Sequence, residues 1–287
     1  MSADPEPEAL SVPHEPPIPL RAWWQTGATS VPAVLIVPAL GTPARVYDRL
    51  ARALHARGFH VVVTELRGTG ASEALASRNQ DWGYLDLVDG ELASTYQHVQ
   101  HRIGAAVPMV WLGHSLGGHL ALLHQRRHRA RQPADILLAA SGAPYFAHYS
   151  LGTRAGLLAL SAMMHASHAL LGYFAGHRLG FGGRQPRTLM RQWLRFAWRG
   201  ALPEAVMRGP ADGDPPQPET AACRAALSMI DDHWAPRPAT AHLCAAFDTE
   251  PVIDALDQLE DGARPDHFSW LRQPSTAAAW VHAQLGS

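Results

Sequence analysis

The sequence predicts an α/β protein built on a mostly parallel, doubly wound sheet with a helical insertion in its second half. Three observations carry that prediction. From residue 33 to residue 141, apolar runs of strand length alternate with segments of helical period, the rhythm of a parallel sheet covered on both faces. The rhythm stops at Pro144, and no clear strand is read before about Thr220. It resumes at "CRAALSMI", residues 223–230, so the interruption reads as an insertion into the fold.

Each element has its own signal. "AVLIVPA" (33–39) is a buried strand, and "VYDRLARALHARG" (46–58) repeats apolar residues at three and four before Gly58 stops it. "FHVVVTEL" (59–66) is the next strand, closed by the turn "RGTGAS". "YLDLVDGELASTYQHVQHRI" (84–103) is expected to be helical despite Gly90. "PMVWLG" (108–113) is a strand, "LGGHLALLHQRRHR" (116–129) a helix and "ADILLAAS" (134–141) a strand. The insertion, 144–220, holds an apolar helix within "AGLLALSAMMHASHALLGYFAG" (155–176) and a Gly-rich link. An aromatic and basic helix, "RTLMRQWLRFAWRGAL" (187–202), and the loop "GPADGDPPQPET" (209–220) follow. It is expected to form a lid over a core of residues 20–143 and 221–287. A candidate strand "PVIDAL" (251–256) and a final helix "STAAAWVHAQL" (275–285) complete the core. Residues 1–19, acidic and Pro-rich, are expected to be a disordered lead-in.

Composition excludes several function classes. The 287 residues carry a formal net charge of −1, so nothing favours nucleic acid as a partner. All 24 basic residues are arginine, which reads as base-composition bias in the genome. Cys223 and Cys244 are the only cysteines. With no basic-then-apolar leader, they point to a reducing, cytoplasmic setting without a disulfide frame. The apolar stretch 155–176 has His165, Ser167 and His168 near its middle. These groups are costly in hydrocarbon, so no integral membrane segment is expected.

The chemistry is carried by "WLGHSLGGHL", residues 111–120, where Ser115 sits between strand and helix with Gly113 and Gly117 two positions away. A serine hydroxyl is a weak nucleophile unless a base takes its proton as it attacks. A very sharp turn displays the hydroxyl but crowds the positions two before and two after, where only small residues fit. The turn also aims the Leu116 amide and the positive end of the helix at the reaction. An acid and then a histidine are expected downstream, at strand C-terminal ends. "LSMIDDHWAP" offers Asp232, with Asp231 in reserve; one of the two is free to cap the helix beginning near Pro238. "GARPDHFSWLR" offers His267 as base, since His242 and His282 fall within helices. His114 reads as packing. The second oxyanion donor is expected in "VPALGTPARVY", at the amide of Leu40 or, failing that, Gly41. His124 with His128, and His165 with His168, have ligand spacing but no accompanying carboxylate or cysteine cluster, so no metal and no cofactor are expected.

With these residues in place, the chain resembles the α/β-hydrolase superfamily, and within it bacterial hydrolases similar to serine aminopeptidases and monoacylglycerol lipases. The resemblance rests on "PALGTPARVY", "LRGTGAS", "DWGYLDL", "GHSLGG", "DDHWAP" and "DHFSW", in that order. It implies an eight-stranded sheet with Ser115 as nucleophile, Asp232 as acid and His267 as base. In place of the familiar His-Gly oxyanion pair the chain has Pro38 and Ala39. Arg67, Asp81, Trp82 and Asp86 read as structural. The expected activity is hydrolysis of a small-molecule ester or lipid-like substrate through an acyl-enzyme. Lid residues such as Leu157, Met164, Phe174, Trp193 and Phe196 are expected to shape an apolar acyl pocket. Two alternatives stand beside it. An aminopeptidase or amidase with the same three residues would need lid carboxylates, for which Glu204, Asp212 and Asp214 are the candidates. A non-catalytic binding module would merely keep the fold.

Overall fold

The structure, a computed structural model, describes residues 5–11, 16–26, 31–128, 134–180, 182–208 and 223–285. Eight strands form one sheet: β1 (Glu6–Leu10), β2 (Ile18–Trp23), β3 (Ala33–Val37), β4 (His60–Thr64), β5 (Met109–His114), β6 (Asp135–Ala139), β9 (Cys223–Met229) and β10 (Val252–Leu256). The order is β1-β2-β4-β3-β5-β6-β9-β10. From β4 to β10 all neighbours are parallel, whereas β2 runs antiparallel to both β1 and β4. A further pair, β7 (Tyr173–Ala175) and β8 (Arg184–Pro186), forms an antiparallel hairpin inside the insertion. No strand was expected there.

Every residue of β3, β4 and β5 is buried, because helices cover both faces of the sheet. Helices α1 (Asp48–His55) and α8 (Ser275–Leu285) pack on one face through Leu50, Leu54, Ala278 and Val281. On the other lie α2 (Ala93–Ile103), α3 (Leu116–Arg127) and α7 (Arg237–Ala246), through Val99, Leu120 and Leu243. The chain order reverses between β3 and β5, which are hydrogen-bonded neighbours. Open α/β sheets place their sites outside the strand C-termini at such a reversal. The Leu40 loop and Ser115 both leave the sheet there.

One expectation is corrected and one is refined. The 1–19 lead-in contributes β1, whose Glu6–Leu10 pairs residue by residue with Ile18–Ala22. Glu8 anchors it, accepting from Trp24 Nε1 at 2.8 Å and pairing with His98 Nε2 at 2.8 Å. An acidic strand with a proline fits a sheet edge, where one side needs no ladder bonds. The helix read at 84–103 is present, with a π-helical stretch, Asp86–Leu92, in its first half before α2. Within it Glu91 is buried against Arg67, with Nε–Oε1 at 2.7 Å, so the widened turn seats a buried ion pair.

Apart from the β7–β8 hairpin, the described part of the insertion, 144–208, is mainly helical. Helices α4 (Leu151–Leu171), α5 (Arg187–Arg199) and the short α6 (Glu204–Met207) lie there. Ser150 caps α4 by accepting the Thr153 amide, and Gly172 ends it in a left-handed conformation. Leu157, Leu160 and Met164 of α4 join Met190, Trp193, Leu194 and Ala197 of α5 in a separate small core. Asp81 ties this layer to the sheet by accepting the amide and hydroxyl of Thr188, at 2.9 and 2.8 Å, and by pairing with Arg187. The loop 209–220, with Asp212 and Asp214, lies outside the described residues.

Candidate active site

Ser115 occupies the single residue between β5 and α3, with φ 54° and ψ −118°. That conformation is strained for a residue with a side chain. Neighbouring bonds hold it: the Ser115 amide donates to Ala139 O at 3.3 Å, and Ser141 Oγ donates to Ser115 O at 2.7 Å. The flanking glycines are sterically required. A Cβ on Gly117 would lie 2.0 Å from Val37 O, and one on Gly113 would lie 2.5 Å from the Gly118 Cα. Chain and sheet pass too close for any other residue.

His267 comes from the loop after β10, and Asp232 from the loop after β9. The imidazole lies between the other two groups, with Nδ1 2.8 Å from Asp232 Oδ2 and Nε2 2.9 Å from Ser115 Oγ. A carboxylate only accepts, so Nδ1 carries the proton toward Asp232 and the Nε2 lone pair faces the serine hydroxyl. Asp232 Oδ1 accepts the amides of Trp234 and Ala235, both at 2.8 Å. The carboxylate side chain is fully buried and bonded on both oxygens, which is what a buried charge requires. Asp231 points elsewhere, into a bidentate pair with Arg264 at 2.8 and 2.6 Å. Hydrogen bonding from that guanidinium holds its pKa below the ordinary aspartate value. Neither aspartate caps α7, whose N-cap is Pro236 with no side-chain bond.

The sequence reading missed the strut behind His267. His114, expected only to pack, accepts the Tyr47 hydroxyl at Nδ1 (2.7 Å) and donates from Nε2 to the His267 carbonyl at 3.0 Å. Tyr47 Oη in turn accepts the Ala39 amide at 2.8 Å, and Trp270 Nε1 donates to the same His267 carbonyl at 3.1 Å. One buried line thus joins the loop after β3, strand β5 and the His267 loop. Burial, and then the neighbouring His267, hold the His114 pKa well below the usual imidazole value, which keeps it neutral and able to accept on one side and donate on the other.

Ala39 spends its amide on Tyr47, whereas the amides of Leu40 and Gly41 meet no acceptor among the described residues. Leu116 opens α3, where an amide has no carbonyl one turn back. Both expected donor positions border the same cleft, which encloses about 550 Å³, part of it open to solvent. Its apolar walls are Leu40, Leu116, Trp193, Trp234 and Phe268, and His119 also lines it. Trp193 is the one residue of α4 and α5 in this lining; Leu157, Met164 and Phe174 are core of the insertion instead, and Phe196 belongs to the main core.

Among the described residues no group of three or more His, Cys, Asp or Glu is placed to hold a metal ion. His124 is buried against Trp111 and His128 with no hydrogen-bond partner on either nitrogen, while His128 pairs with Asp89. His165 Nδ1 lies 2.7 Å from Ser161 O in its own helix. Arg67, Asp81 and Asp86 are engaged structurally, Asp86 by accepting the Gly83 amide at 2.7 Å. No described helix is long and apolar enough to cross a membrane.

Comparison with known proteins agrees with this architecture. The family described as "Hydrolase_4: Serine aminopeptidase, S33" matches residues 29–177. None of the curated proteins matches the chain in sequence. Among solved structures, a putative hydrolase from Agrobacterium vitis S4 superposes with a TM-score of 0.63 at 13% identity, covering 98% of each chain. A hydrolase from Pseudomonas aeruginosa gives 0.59 at 17% identity, again covering 98% of each. A carboxylesterase structure from Nitrososphaera gargenis gives 0.57 at 17%, covering 97% of this chain and 98% of that one. At such identities these likenesses establish the fold.

Proposed function

We propose, from the premise that this chain belongs to the serine aminopeptidase S33 family of α/β hydrolases, that it is a serine esterase working through an acyl-enzyme. The observation that carries this reading is the unbroken line Ser115 Oγ–His267–Asp232, with separations of 2.9 and 2.8 Å. Ser115 attacks the acyl carbonyl while His267 Nε2 takes its proton. Asp232 holds the tautomer and stabilises the imidazolium that forms. The amides of Leu116 and Leu40 (or Gly41) receive the oxyanion, a single such donor typically being worth about 2.7–4 kcal/mol. His267 then protonates the leaving alcohol, and water, activated by the same ring, releases the acid. The insertion acts as a lid over the cleft, and the apolar walls around Trp193 and Phe268 accept the acyl chain.

An ester is favoured over a peptide by the makeup of the lid. Gripping a free amine takes a carboxylate, and among the described residues of 144–208 the only one is Glu204, which is exposed and paired with Arg208. The similar Nitrososphaera gargenis structure is that of a carboxylesterase. A fluorophosphonate probe on the wild type, Ser115→Ala and His267→Ala tests the mechanism. Labelling is expected in the wild type alone, and labelling that survives Ser115→Ala ends this reading. On p-nitrophenyl esters of graded length, kcat/KM is expected to rise from acetate to medium chains. Peptide-amide turnover exceeding ester turnover would move the assignment to an aminopeptidase.

A further inference from the structure

The outer surface of the insertion has a composition that its own fold does not use. Helix α4 buries Leu157, Leu160, Ser161, Met164 and His168. Its opposite face presents Leu151, Leu158, Met163 and Leu170 to solvent, with Leu151 82% and Leu170 73% exposed. Between them on that face lie Ala155, Ala159, Ala162, Ala166 and Ala169, and its one ionisable group is His165. Large apolar side chains are common singly on a protein surface, but a contiguous face of them marks a contact surface.

Helix α5 runs beside it, joined through the small core already described. Its solvent side carries Arg191, Arg195 and Arg199, with Trp198 half exposed among them. None of the three arginines has a carboxylate partner among the described residues. The charge is segregated as well. Residues 151–199 hold seven of the chain's 24 arginines and none of its 25 acidic residues, in a protein whose net charge is −1.

We infer that this face docks on an anionic phospholipid surface, the leucines and Met163 of α4 entering the headgroup–acyl boundary and the α5 arginines pairing with lipid phosphates. An apolar helical face beside a helix that exposes arginine and tryptophan has the makeup of an in-plane interfacial element. The arginines supply the charge complementarity, and the exposed tryptophan suits the headgroup level. A second copy of the chain fits less well, since a two-fold contact through α4 brings two uncompensated arginine rows to one interface. The inference needs no catalytic step, so it and the esterase reading fail separately.

Co-sedimentation of the full-length Ser115→Ala chain tests it without turnover, using vesicles of phosphatidylcholine alone or mixed with phosphatidylglycerol. Binding is expected to the mixed vesicles, weakly or not at all to the neutral ones, and to fall as salt is raised. Replacing Arg191, Arg195 and Arg199 together by glutamine is expected to lower partitioning roughly 100-fold. Leu151→Ser with Leu158→Ser and Leu170→Ser is expected to lower it too, with little change in melting temperature because these side chains are 48–82% exposed. Equal binding to both vesicle types, binding to neither, or binding that ignores both sets of substitutions overturns the proposal. A concentration-dependent dimer lost in the leucine variants, with no vesicle binding, assigns the face to a second copy instead.

Discussion

The rim of the sheet and the helical layer above it solve opposite problems. At the rim, Ser115, His267 and Asp232 come from three loops far apart in sequence, and each polar atom between them has a partner. Around them, His114, Tyr47 and Trp270 fix the backbone that carries the imidazole. In the layer of α4 and α5, cohesion rests on one small apolar core and a few anchoring bonds, and much of the outward surface is apolar or cationic. Position is fixed where atoms must meet within a few tenths of an ångström. Where only shape and surface character matter, it is left to non-directional packing, which tolerates variation.

The sharpest way to break this comparison is at the two adjacent aspartates. Asp232→Asn should leave the fold but give the imidazole the wrong partner, lowering kcat roughly 10⁴-fold. Asp231→Asn removes an exposed pair with Arg264 and should change kcat by less than about threefold. Equal effects of the two, measured on one ester, would mean that the buried line is not the working one.

Acid titration tests whether the buried imidazoles behave as fixed neutral parts. Burial lowers the His119 pKa to about 4, and burial followed by His128 lowers that of His124 to about 3. The unfolded chain, with imidazoles near 6.5, therefore binds more protons than the folded one in between. Stability is expected to be level above about pH 6.5 and to fall from there toward pH 4, by up to about 3 kcal/mol per histidine. The urea midpoint followed against pH reads this directly. His124→Leu should shrink the loss, because neither of its ring nitrogens has a partner to forfeit.

The mildest test concerns the strut. Tyr47→Phe leaves the Ala39 amide and His114 Nδ1 without their shared hydroxyl, a loss of about 1–3 kcal/mol in stability. Because it also loosens the His267 carbonyl anchor, kcat should fall with KM nearly unchanged. A fall in stability with no change in kcat would make His114 and Tyr47 packing residues only.

The sequence made the six parallel strands and the main helices legible, because burial on two faces leaves long apolar runs and amphipathic periods. It also pointed to Ser115, His267 and Asp232, since glycine spacing and chain order constrain them. What stayed hidden depends on contacts between distant segments. Glu6–Leu10 looks like a disordered acidic lead until Trp24 and His98 are seen to hold Glu8. His114 looks like filler because its partners, the Tyr47 hydroxyl and the His267 carbonyl that sets its tautomer, are 67 and 153 residues away. Asp231 and Asp232 are indistinguishable by composition and are separated only by the direction of one loop. The expected lid-built pocket was too generous, since an apolar residue on an insertion serves the insertion's own core first.

Gly41 has φ 66°, and a Cβ there would lie 2.2 Å from the carbonyl oxygen of Gly182 at the start of the segment leading into β8. Two backbones are therefore fitted to one another, with no side chain between them to absorb a mismatch. For protein engineering this means the insertion is not an interchangeable module. A chimera that grafts another cap onto this sheet inherits a constraint on the tip after β3 and must carry its own matching pair of glycines.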